Sequence, residues 1–213
     1  MAKGYPIVLL LENKRAIVIG GGSVAERKVR GLLECDALVT VVSPIITDGI
    51  SNLVQQKKCR WLEKEYEACD LRLVDIVFAA TDDESVNARV FADSTAARLM
   101  VNVADRPELC SFYLPSVLRR GELSIAVSTQ GSSPLLARRI RLQLEERFTD
   151  IYATYVDLLS NARPRVKSCI PENRRMDFWD KATDGHMMDV LETEGVQAAE
   201  TALDQLLATY CEE

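Results

Sequence analysis

A short β-branched strand that runs directly into three glycines constrains the fold of this chain more than any other feature. Lys14–Ile19 ends in an apolar run typical of a buried strand, and Gly20–Ala25 has the pattern G-x-G-x-x-A. Glu26–Glu34 then carries apolar residues at helical spacing. Strand, glycine turn and helix follow one another in the order found in nucleotide-binding βαβ units.

Each position of the glycine turn has a physical role in such a unit. Gly20 permits the tight turn, Gly22 lets the backbone approach a pyrophosphate, and Ala25 lets the helix pack closely on the strand. The first N–H groups of the helix, near Ser23 and Val24, supply donors for the anion. Scaffolds that bind no nucleotide also contain this pattern, but strand and helix patterns repeat around it here, which favours a dinucleotide site.

The repeated patterns predict an α/β fold with a Rossmann-like, doubly wound parallel sheet. A helix is predicted at Glu84–Ala97, and further strands are predicted at Val39–Val42, Cys59–Leu62, Asp75–Thr81 and Leu99–Val103. Right-handed crossovers place the loops after Val42, Ala80 and Val103 at the same carboxyl edge as the glycine turn.

One position departs from the usual dinucleotide-binding pattern. Ser43–Pro44 stands about twenty residues after the glycines, where a carboxylate usually holds the ribose 2′-OH. A serine hydroxyl can bond a ribose hydroxyl, but it does not repel a 2′-phosphate as a carboxylate does. The residues alone therefore leave the choice between NAD and NADP open.

The second half of the chain begins with a predicted β-hairpin. Strands are expected at Phe112–Leu118 and Glu122–Thr129, joined by a turn at Arg119–Gly121. A two-stranded ribbon is marginal in water, so we expect it to pair with another sheet or with a second copy of the chain. A dimer built by strand exchange is the preferred interpretation.

Helices are predicted after the hairpin. Ser133 as N-cap and Pro134 at the first helical position open a helix that extends through Arg147. A small helical bundle follows, with an amphipathic helix at Val196–Tyr210 and with breaks near Arg163–Pro164 and Ile170–Pro171. The predicted domains are therefore a dinucleotide-binding domain at 1–112, a dimerisation region at 113–148 and a helical domain at 149–213.

Asp105 is the candidate for proton transfer. It lies just past the carboxyl end of a predicted strand, beside the expected cofactor, where a carboxylate suits general acid or base chemistry. The same position also suits an aspartate that merely caps a loop. The single histidine, His186, has no second ligand at i+4, so a zinc hydrolase or a histidine-based triad is not expected.

Charge and composition argue against further classes of protein. The chain has a net charge of −6, yet residues 113–175 carry 11 basic against 6 acidic side chains. This distribution argues against nucleic-acid binding and suits a site for a small polyanion, although a solvated helical face gives the same pattern. No apolar stretch approaches the length of a membrane span and no leader is evident, so we expect a soluble, cytoplasmic protein. Six scattered cysteines are expected to be reduced thiols.

Six motifs, taken in order, resemble the precorrin-2 dehydrogenase and sirohydrochlorin ferrochelatase family. They are G-G-G-S-V-A-E-R-K (Gly20–Lys28), V-S-P (Val42–Pro44), A-A-T-D-D (Ala79–Asp83), N-V-A-D (Asn102–Asp105), S-F-Y-L-P-S (Ser111–Ser116) and S-S-P-L-L-A-R (Ser132–Arg138). The resemblance runs from about Ile7 to Glu146, whereas the helical tail matches only in length and character. It does not include the methyltransferase half of some relatives, so methylation is expected from another protein.

The resemblance implies an enzyme that moves a hydride from precorrin-2 to NAD and releases a proton, giving sirohydrochlorin. Asp105 matches the family's catalytic aspartate, and no metal ligands are implied. NAD contacts are expected at Gly20, Gly22, Ser23, Val24, Ser43, Pro44, Ile45, Thr81, Asn102 and Val103. Tetrapyrrole contacts are expected at Ser116, Ser128, Thr129, Ser132, Ser133 and Arg138.

The family also implies a homodimer that holds the tetrapyrrole, with its eight carboxylates, in a cleft between the two modules. Fe²⁺ is a further substrate in relatives that insert the metal. The competing class is a non-enzymatic NAD-sensing Rossmann module. A carboxylate beside the cofactor and an arginine-rich segment for a polyanion favour the enzyme over the sensor.

Overall fold

The computed structural model describes residues 4–211 and divides the chain into two units, the first ending at Leu114 and the second beginning at Pro115. The first unit contains a five-stranded parallel sheet with strand order β3-β2-β1-β4-β5. Its strands are β1 (Arg15–Ile19), β2 (Leu38–Val42), β3 (Arg60–Leu62), β4 (Ile76–Ala79) and β5 (Met100–Val103). Its helices are α1 (Ser23–Leu33), α2 (Asp48–Gln55) and α3 (Glu84–Ala96), with single 3-10 turns at Ala68–Leu71 and Pro107–Leu109.

Both faces of this sheet are buried. Alternate residues of each strand point to opposite sides, and each side is covered by its own apolar cluster. Ala16 and Val18 of β1 pack towards α1 and α2. Ile17 and Ile19 join the opposite cluster, which contains Val90 of α3. This two-sided burial explains the nearly continuous apolar runs of the strands and confirms the predicted α/β, Rossmann-like fold.

The second unit contains an antiparallel hairpin and five helices within the described part of the chain. The hairpin consists of β6 (Ser116–Arg120) and β7 (Leu123–Val127). The helices are α4 (Pro134–Arg147), α5 (Ile151–Cys169), α6 (Arg175–Ala182), α7 (His186–Glu194) and α8 (Val196–Cys211), with a 3-10 turn at Glu172–Arg174. Phe178 lies in the centre of the helical core, where its ring contacts Trp179 and Tyr210 edge to face. No helix within residues 4–211 is long and apolar enough to cross a membrane.

Several predicted boundaries in this unit are wrong: the hairpin begins at Ser116 instead of Phe112 and ends at Val127 instead of Thr129. The hairpin turn is the two-residue Gly121–Glu122 instead of Arg119–Gly121, because Gly121 adopts a positive φ of 53° and Arg120 still pairs with Leu123. Helix α5 continues through Pro164 instead of breaking there. Pro164 faces solvent, where water can satisfy the carbonyl group that loses its partner, while Leu158, Ala162 and Val166 anchor the opposite face.

The predicted start of α4 is confirmed: the Ser133 hydroxyl accepts a hydrogen bond from the Leu136 N–H, and Pro134 is the first helical residue. The predicted break at Ile170–Pro171 and the amphipathic helix α8 are present as well. The hairpin forms its own two-stranded sheet, and its exchange with a second copy remains a prediction.

The expectation of six reduced cysteines is wrong for one pair. Cys169 and Cys211 form a disulfide that joins the last residues of α5 and α8, while Cys35, Cys59, Cys69 and Cys110 are not disulfide-bonded. The two partners are 42 residues apart, so no C-x-x-C spacing could reveal them. The fold brings them together by packing α8 against α5.

Reduction of this disulfide should destabilise the helical unit. Opening a closed loop of this length removes up to about 4 kcal/mol of stabilisation in the chain-entropy model. Urea unfolding with and without dithiothreitol measures the loss, and thiol counting under denaturing conditions should give four free cysteines before reduction. The double variant Cys169→Ser/Cys211→Ser should not respond to the reductant. Equal stability in oxidised and reduced protein would contradict the prediction.

Phe178→Ala should be strongly destabilising, by about 3–5 kcal/mol, because the ring is fully buried among other aromatic rings. Met176→Ala on the same helix is the matched control: its side chain is 70% exposed, and its removal should change the free energy of unfolding little. Chemical denaturation of both variants measures the difference. Similar stabilities for the two would show that the core is not centred on Phe178.

Candidate dinucleotide and catalytic site

The glycine turn lies where β1, β2 and β4 come together at the carboxyl edge of the sheet. Gly20 has a φ of 122°, and its N–H donates to the Val42 carbonyl oxygen at 2.9 Å. A Cβ at Gly20 would stand 2.2 Å from the Ala80 carbonyl oxygen. Both the backbone conformation and the available space therefore require glycine here.

Gly21 occupies a variable position of the G-x-G-x-x-A pattern, yet the space around it is as restricted as that around Gly20. A Cβ at this position would stand 1.9 Å from the Ile45 carbonyl oxygen and 2.8 Å from Ser43 Oγ. The Gly21 carbonyl oxygen also accepts the Thr47 N–H at 2.9 Å. Thus the loop after β2 lies directly against the glycine turn, and it brings Ser43 and Ile45 close to Gly21. In the sequence, the run of three adjacent glycines was the feature that could have predicted this close approach.

Gly22 differs from its neighbours because nothing crowds it. It is the N-cap of α1 in an extended conformation, and a Cβ there would meet no atom within 4 Å. Without a side chain, Gly22 cannot cap the first helical N–H groups, so donors near Ser23 and Val24 are left for a ligand. This arrangement fits the pyrophosphate of a dinucleotide.

The loop expected beside the ribose is folded on itself and does not present an exposed serine. Ser43 is buried, and its hydroxyl donates to the Ile45 carbonyl oxygen at 2.7 Å. Its own carbonyl oxygen accepts the Trp61 indole N–H at 2.9 Å. Ser43 therefore holds the loop and can offer a ligand only its lone pairs. Pro44 and Ile45 are exposed beside it, Ile45 with 79% of its surface accessible.

The loop after β4 is fixed by bonds to Thr81. The Thr81 carbonyl oxygen accepts from Asn87 Nδ2 at 2.8 Å, and its hydroxyl oxygen accepts the Asp83 N–H at 3.1 Å. Asp83 caps α3, and a hydrogen bond from the Ser85 hydroxyl lowers the pKa of Asp83. Thr81 is thus held on the same edge as the glycine turn, next to Ala80, whose carbonyl oxygen packs against Gly20.

Asp105 stands on a tight turn immediately after β5. Its φ is 59°, in the left-handed region, and the Arg106 N–H faces the Val103 carbonyl oxygen at 3.5 Å. The Ala104 N–H donates to the Ala79 carbonyl oxygen at 2.8 Å, which fixes the start of the turn against β4. Val103 is buried while the Asp105 side chain is exposed. The carboxylate is therefore presented to solvent at the carboxyl edge that also holds the glycine turn.

Cys110 closes the loop that carries Asp105. Its sulfur accepts the Val103 N–H at 3.2 Å and lies 3.2 Å from the Val103 carbonyl oxygen and 3.3 Å from the Arg106 carbonyl oxygen. Burial raises the pKa of the Cys110 thiol, so it remains protonated and can donate to one of these oxygens at neutral pH. Cys110 therefore stabilises the loop and is not a thiolate nucleophile.

Both the nitrogen and the oxygen of the Asn102 side-chain amide form hydrogen bonds within the protein. Nδ2 donates to the Phe112 carbonyl oxygen at 3.0 Å, and Lys28 Nζ donates to Oδ1 at 3.4 Å. Asn102 is buried, and its contact with NAD stays a prediction. Lys28 ends the first of the six motifs, but no role was assigned to it there. It lies between Ala25 and Leu32 on the buried stripe of α1. A charged residue on an otherwise apolar stripe is a sequence feature that could have indicated a functional role.

The expected tetrapyrrole contacts lie in the second unit, around the start of α4. Ser116 pairs with Val127, so it stands beside the loop that begins at Ser128. Within that loop, the Thr129 hydroxyl accepts the Ser133 N–H, and the Ser132 N–H donates to the Thr129 carbonyl oxygen, both at 3.0 Å. Arg138 is exposed on α4. The structure thus brings five of the six residues into one region and places Arg138 one helical turn further along.

His186 is exposed at the first position of α7, and its backbone N–H donates to Asp184 Oδ1 at 3.0 Å. Among residues 4–211 there is no group of three or more histidine, cysteine or acidic side chains that could hold a metal ion.

A parallel sheet, a crowded glycine turn and an uncapped helix start define a dinucleotide-binding protein of the Rossmann class. Comparison with known proteins agrees. Residues 7–116 match the NAD(P)-binding family model, residues 120–147 match the model of the sirohaem biosynthesis central region, and residues 152–207 match the sirohaem synthase dimerisation region.

Curated relatives match nearly the whole chain. A siroheme synthase of Thioalkalivibrio sulfidiphilus is 36% identical over 206 residues, and one of Pseudomonas aeruginosa is 37% identical over 204 residues. These alignments cover 96% and 95% of this chain but only 42% and 44% of the relatives, so the chain spans less than half their length. The solved structure of SirC, a precorrin-2 dehydrogenase, matches with a TM-score of 0.75 at 25% identity, covering 97% of this chain and all of that one.

The chain therefore belongs to the precorrin-2 dehydrogenase and sirohydrochlorin ferrochelatase family, as its motifs predicted. The expectation of NAD as cofactor is confirmed with it. The chain also carries the dimerisation region of that family at 152–207.

Gly22→Asp should weaken NAD binding about tenfold or more, because a carboxylate would face the pyrophosphate at the helix start. The fold should be unaffected, since the new side chain enters open space and aspartate is a good N-cap. Isothermal titration with NAD measures the affinity. Gly31→Asp is the matched control, because it adds the same charge to α1 where a Cβ also meets nothing. Equal affinities for both variants would remove Gly22 from the pyrophosphate site.

Proposed function

We propose that this protein catalyses the NAD-dependent oxidation of precorrin-2 to sirohydrochlorin. One observation carries the proposal. Asp105 lies on a hydrogen-bonded turn at the carboxyl edge of the sheet, the same edge at which the glycine turn lies. In a parallel α/β sheet, ligands bind outside this edge. The names of the similar proteins, siroheme synthase and precorrin-2 dehydrogenase, support the same chemistry.

The reaction removes two electrons and two protons from the macrocycle. NAD, when bound, supplies the acceptor for one hydride, that is, both electrons and one proton. The second proton must leave the substrate, and we assign its removal to the Asp105 carboxylate, which is exposed and can pass the proton to water. The balanced products are sirohydrochlorin, NADH and one proton. The remaining chain positions and shields the reactants.

The second unit supplies the binding surface for the substrate in this proposal. Precorrin-2 carries eight carboxylates, and the segment 113–175 has an excess of basic side chains. Arg138 and Arg139 are exposed on α4, whereas Arg141 is paired with Glu145 and Arg120 with Asp150. The Ser128–Ser133 loop adds hydroxyl groups beside the start of α4.

We also propose a homodimer, built through the dimerisation region at 152–207 and the hairpin, and a cytoplasmic location, where NAD is available. Iron insertion is the second candidate activity. It is supported by the name siroheme synthase, since siroheme contains iron, and by the availability of Asp105 to accept pyrrole N–H protons. Fe²⁺ would then be a substrate rather than a resident metal.

Asp105→Asn should reduce the turnover number about a hundredfold or more while NAD affinity stays unchanged. Asparagine tolerates the left-handed backbone at this position, so the variant removes the charge without straining the turn. The assay is anaerobic formation of NADH and sirohydrochlorin from enzymatically generated precorrin-2. Addition of Fe²⁺ to the product then tests for metal insertion above a protein-free rate.

Asp36→Asn provides the matched control for that experiment. Asp36 also has a positive φ and an exposed side chain, but it lies after α1, away from the carboxyl edge. Wild-type activity in Asp36→Asn together with loss in Asp105→Asn supports the assignment. Full activity in Asp105→Asn would overturn the role of Asp105. NAD binding by the wild type without any turnover would favour the non-enzymatic NAD-sensing module.

A further inference from the structure

Lys28 is a charged residue on the buried stripe of α1, and neither the motifs nor the proposed reaction gives it a role. Its neighbours on the stripe, Ala25, Val29 and Leu32, are all buried. Lys28 Nζ lies 5.9 Å from the centre of the Phe78 ring, so the ammonium group reaches across the sheet face towards β4 and β5. A lysine in such a place loses hydration, which is unfavourable unless an anion or acceptor compensates.

The partners of Lys28 point towards the Asp105 loop. Within residues 4–211 its one hydrogen bond goes to Asn102 Oδ1 at 3.4 Å, and it forms no ion pair. The Asn102 amide is held in this orientation because Nδ2 donates to the Phe112 carbonyl oxygen. Asn102 precedes Asp105 by three residues, and Cys110 closes the segment between them. An ammonium with donors to spare is thus anchored at the base of the loop that carries the carboxylate.

A nearby charge such as the Lys28 ammonium group is needed to orient the Asp105 carboxylate. In the part of the chain that the structure describes, no hydrogen bond or ion pair holds this side chain. The neighbouring cation, Arg106, is occupied by ion pairs with Glu84 and Glu108. The charged and titratable groups around Lys28 are Arg27, on the same helix, and Cys110 and Asp105, on the loop after β5. Burial lowers the pKa of Lys28, Arg27 lowers it further, and Cys110 and Asp105 raise it.

We propose that Lys28 is a positioning residue for Asp105: its ammonium group, anchored on Asn102, attracts the ionised carboxylate and holds it ready to accept the substrate proton. The attraction acts over a longer range than an ion pair, from a half-buried ammonium group to an exposed carboxylate, and it is therefore screened less than one between two fully exposed charges. Lys28 does not contact the reactants in this account. The inference rests on the proposed function, although its electrostatic part does not depend on turnover.

The electrostatic link is tested by titrating Lys28 with NMR in protein that contains ¹³C-labelled lysine. Because a nearby carboxylate stabilises the ammonium form, Asp105→Asn should lower the pKa of Lys28 by about half a pH unit. Asp36→Asn should leave it unchanged. This readout requires neither NAD nor substrate. An unchanged Lys28 pKa in Asp105→Asn would overturn the proposal.

The kinetic consequence is tested with Lys28→Met and Lys28→Arg. Methionine keeps much of the apolar stem over Phe78 and removes the charge, so kcat should fall about tenfold or more with NAD affinity unchanged. Arginine keeps the charge and should restore most of the activity. Because arginine does not lose its proton, the loss of activity at alkaline pH that accompanies deprotonation of Lys28 should disappear in Lys28→Arg. Lys58→Met, at an exposed lysine, is the control.

The outcomes separate this inference from the proposed function. No oxidation of precorrin-2 by the wild type would refute the proposed function, whatever Lys28 does. If the wild type is active, wild-type kcat and an unchanged pH profile in Lys28→Met would refute the role of Lys28. Loss of NAD affinity in Lys28→Met would also refute it, because the ammonium would then act on the cofactor and not on Asp105.

Discussion

The close approach of three backbone segments at the carboxyl edge of the sheet is the constraint on which the rest of the first unit depends. Gly20 leaves room for the Ala80 carbonyl oxygen, and Gly21 leaves room for the Ile45 carbonyl oxygen. Any side chain at either position would separate the loops after β2 and β4 from the glycine turn. The third glycine, Gly22, leaves space instead of filling it. One short segment thus both packs the edge together and leaves the start of α1 open.

The same edge shows how a protein can present an exposed carboxylate without bonding to it directly. Asp105 is held through its backbone: a left-handed turn, a bond from Ala104 to β4, and the Cys110 thiol that joins the two ends of the loop. Asn102 links this loop to α1 through Lys28. The carboxylate stays free to exchange protons with water while the sheet fixes the backbone that carries it.

The predictable parts of the fold are those that depend on local pattern. The sheet strands, the glycine turn and the capped start of α4 follow from apolar periodicity, glycine and proline placement, and the Ser133–Pro134 cap. The break expected at Pro164 of α5 is absent because packing of the opposite helix face outweighs one missing hydrogen bond. The Cys169–Cys211 disulfide depends on how α5 and α8 pack, which spacing along the chain does not encode. For the site, the motifs indicated the segments, but only the contacts show that Ser43 and Asn102 are engaged within the protein.

The central claim is that this edge of the sheet oxidises a tetrapyrrole with NAD. The most direct measurement is a single turnover under anaerobic conditions, with excess protein mixed with precorrin-2 and NAD while NADH and sirohydrochlorin are quantified together. The account predicts that the two products appear in equal molar amounts and at the same rate. Tight NAD binding with neither product formed, or sirohydrochlorin formed without an equivalent of NADH, would contradict it.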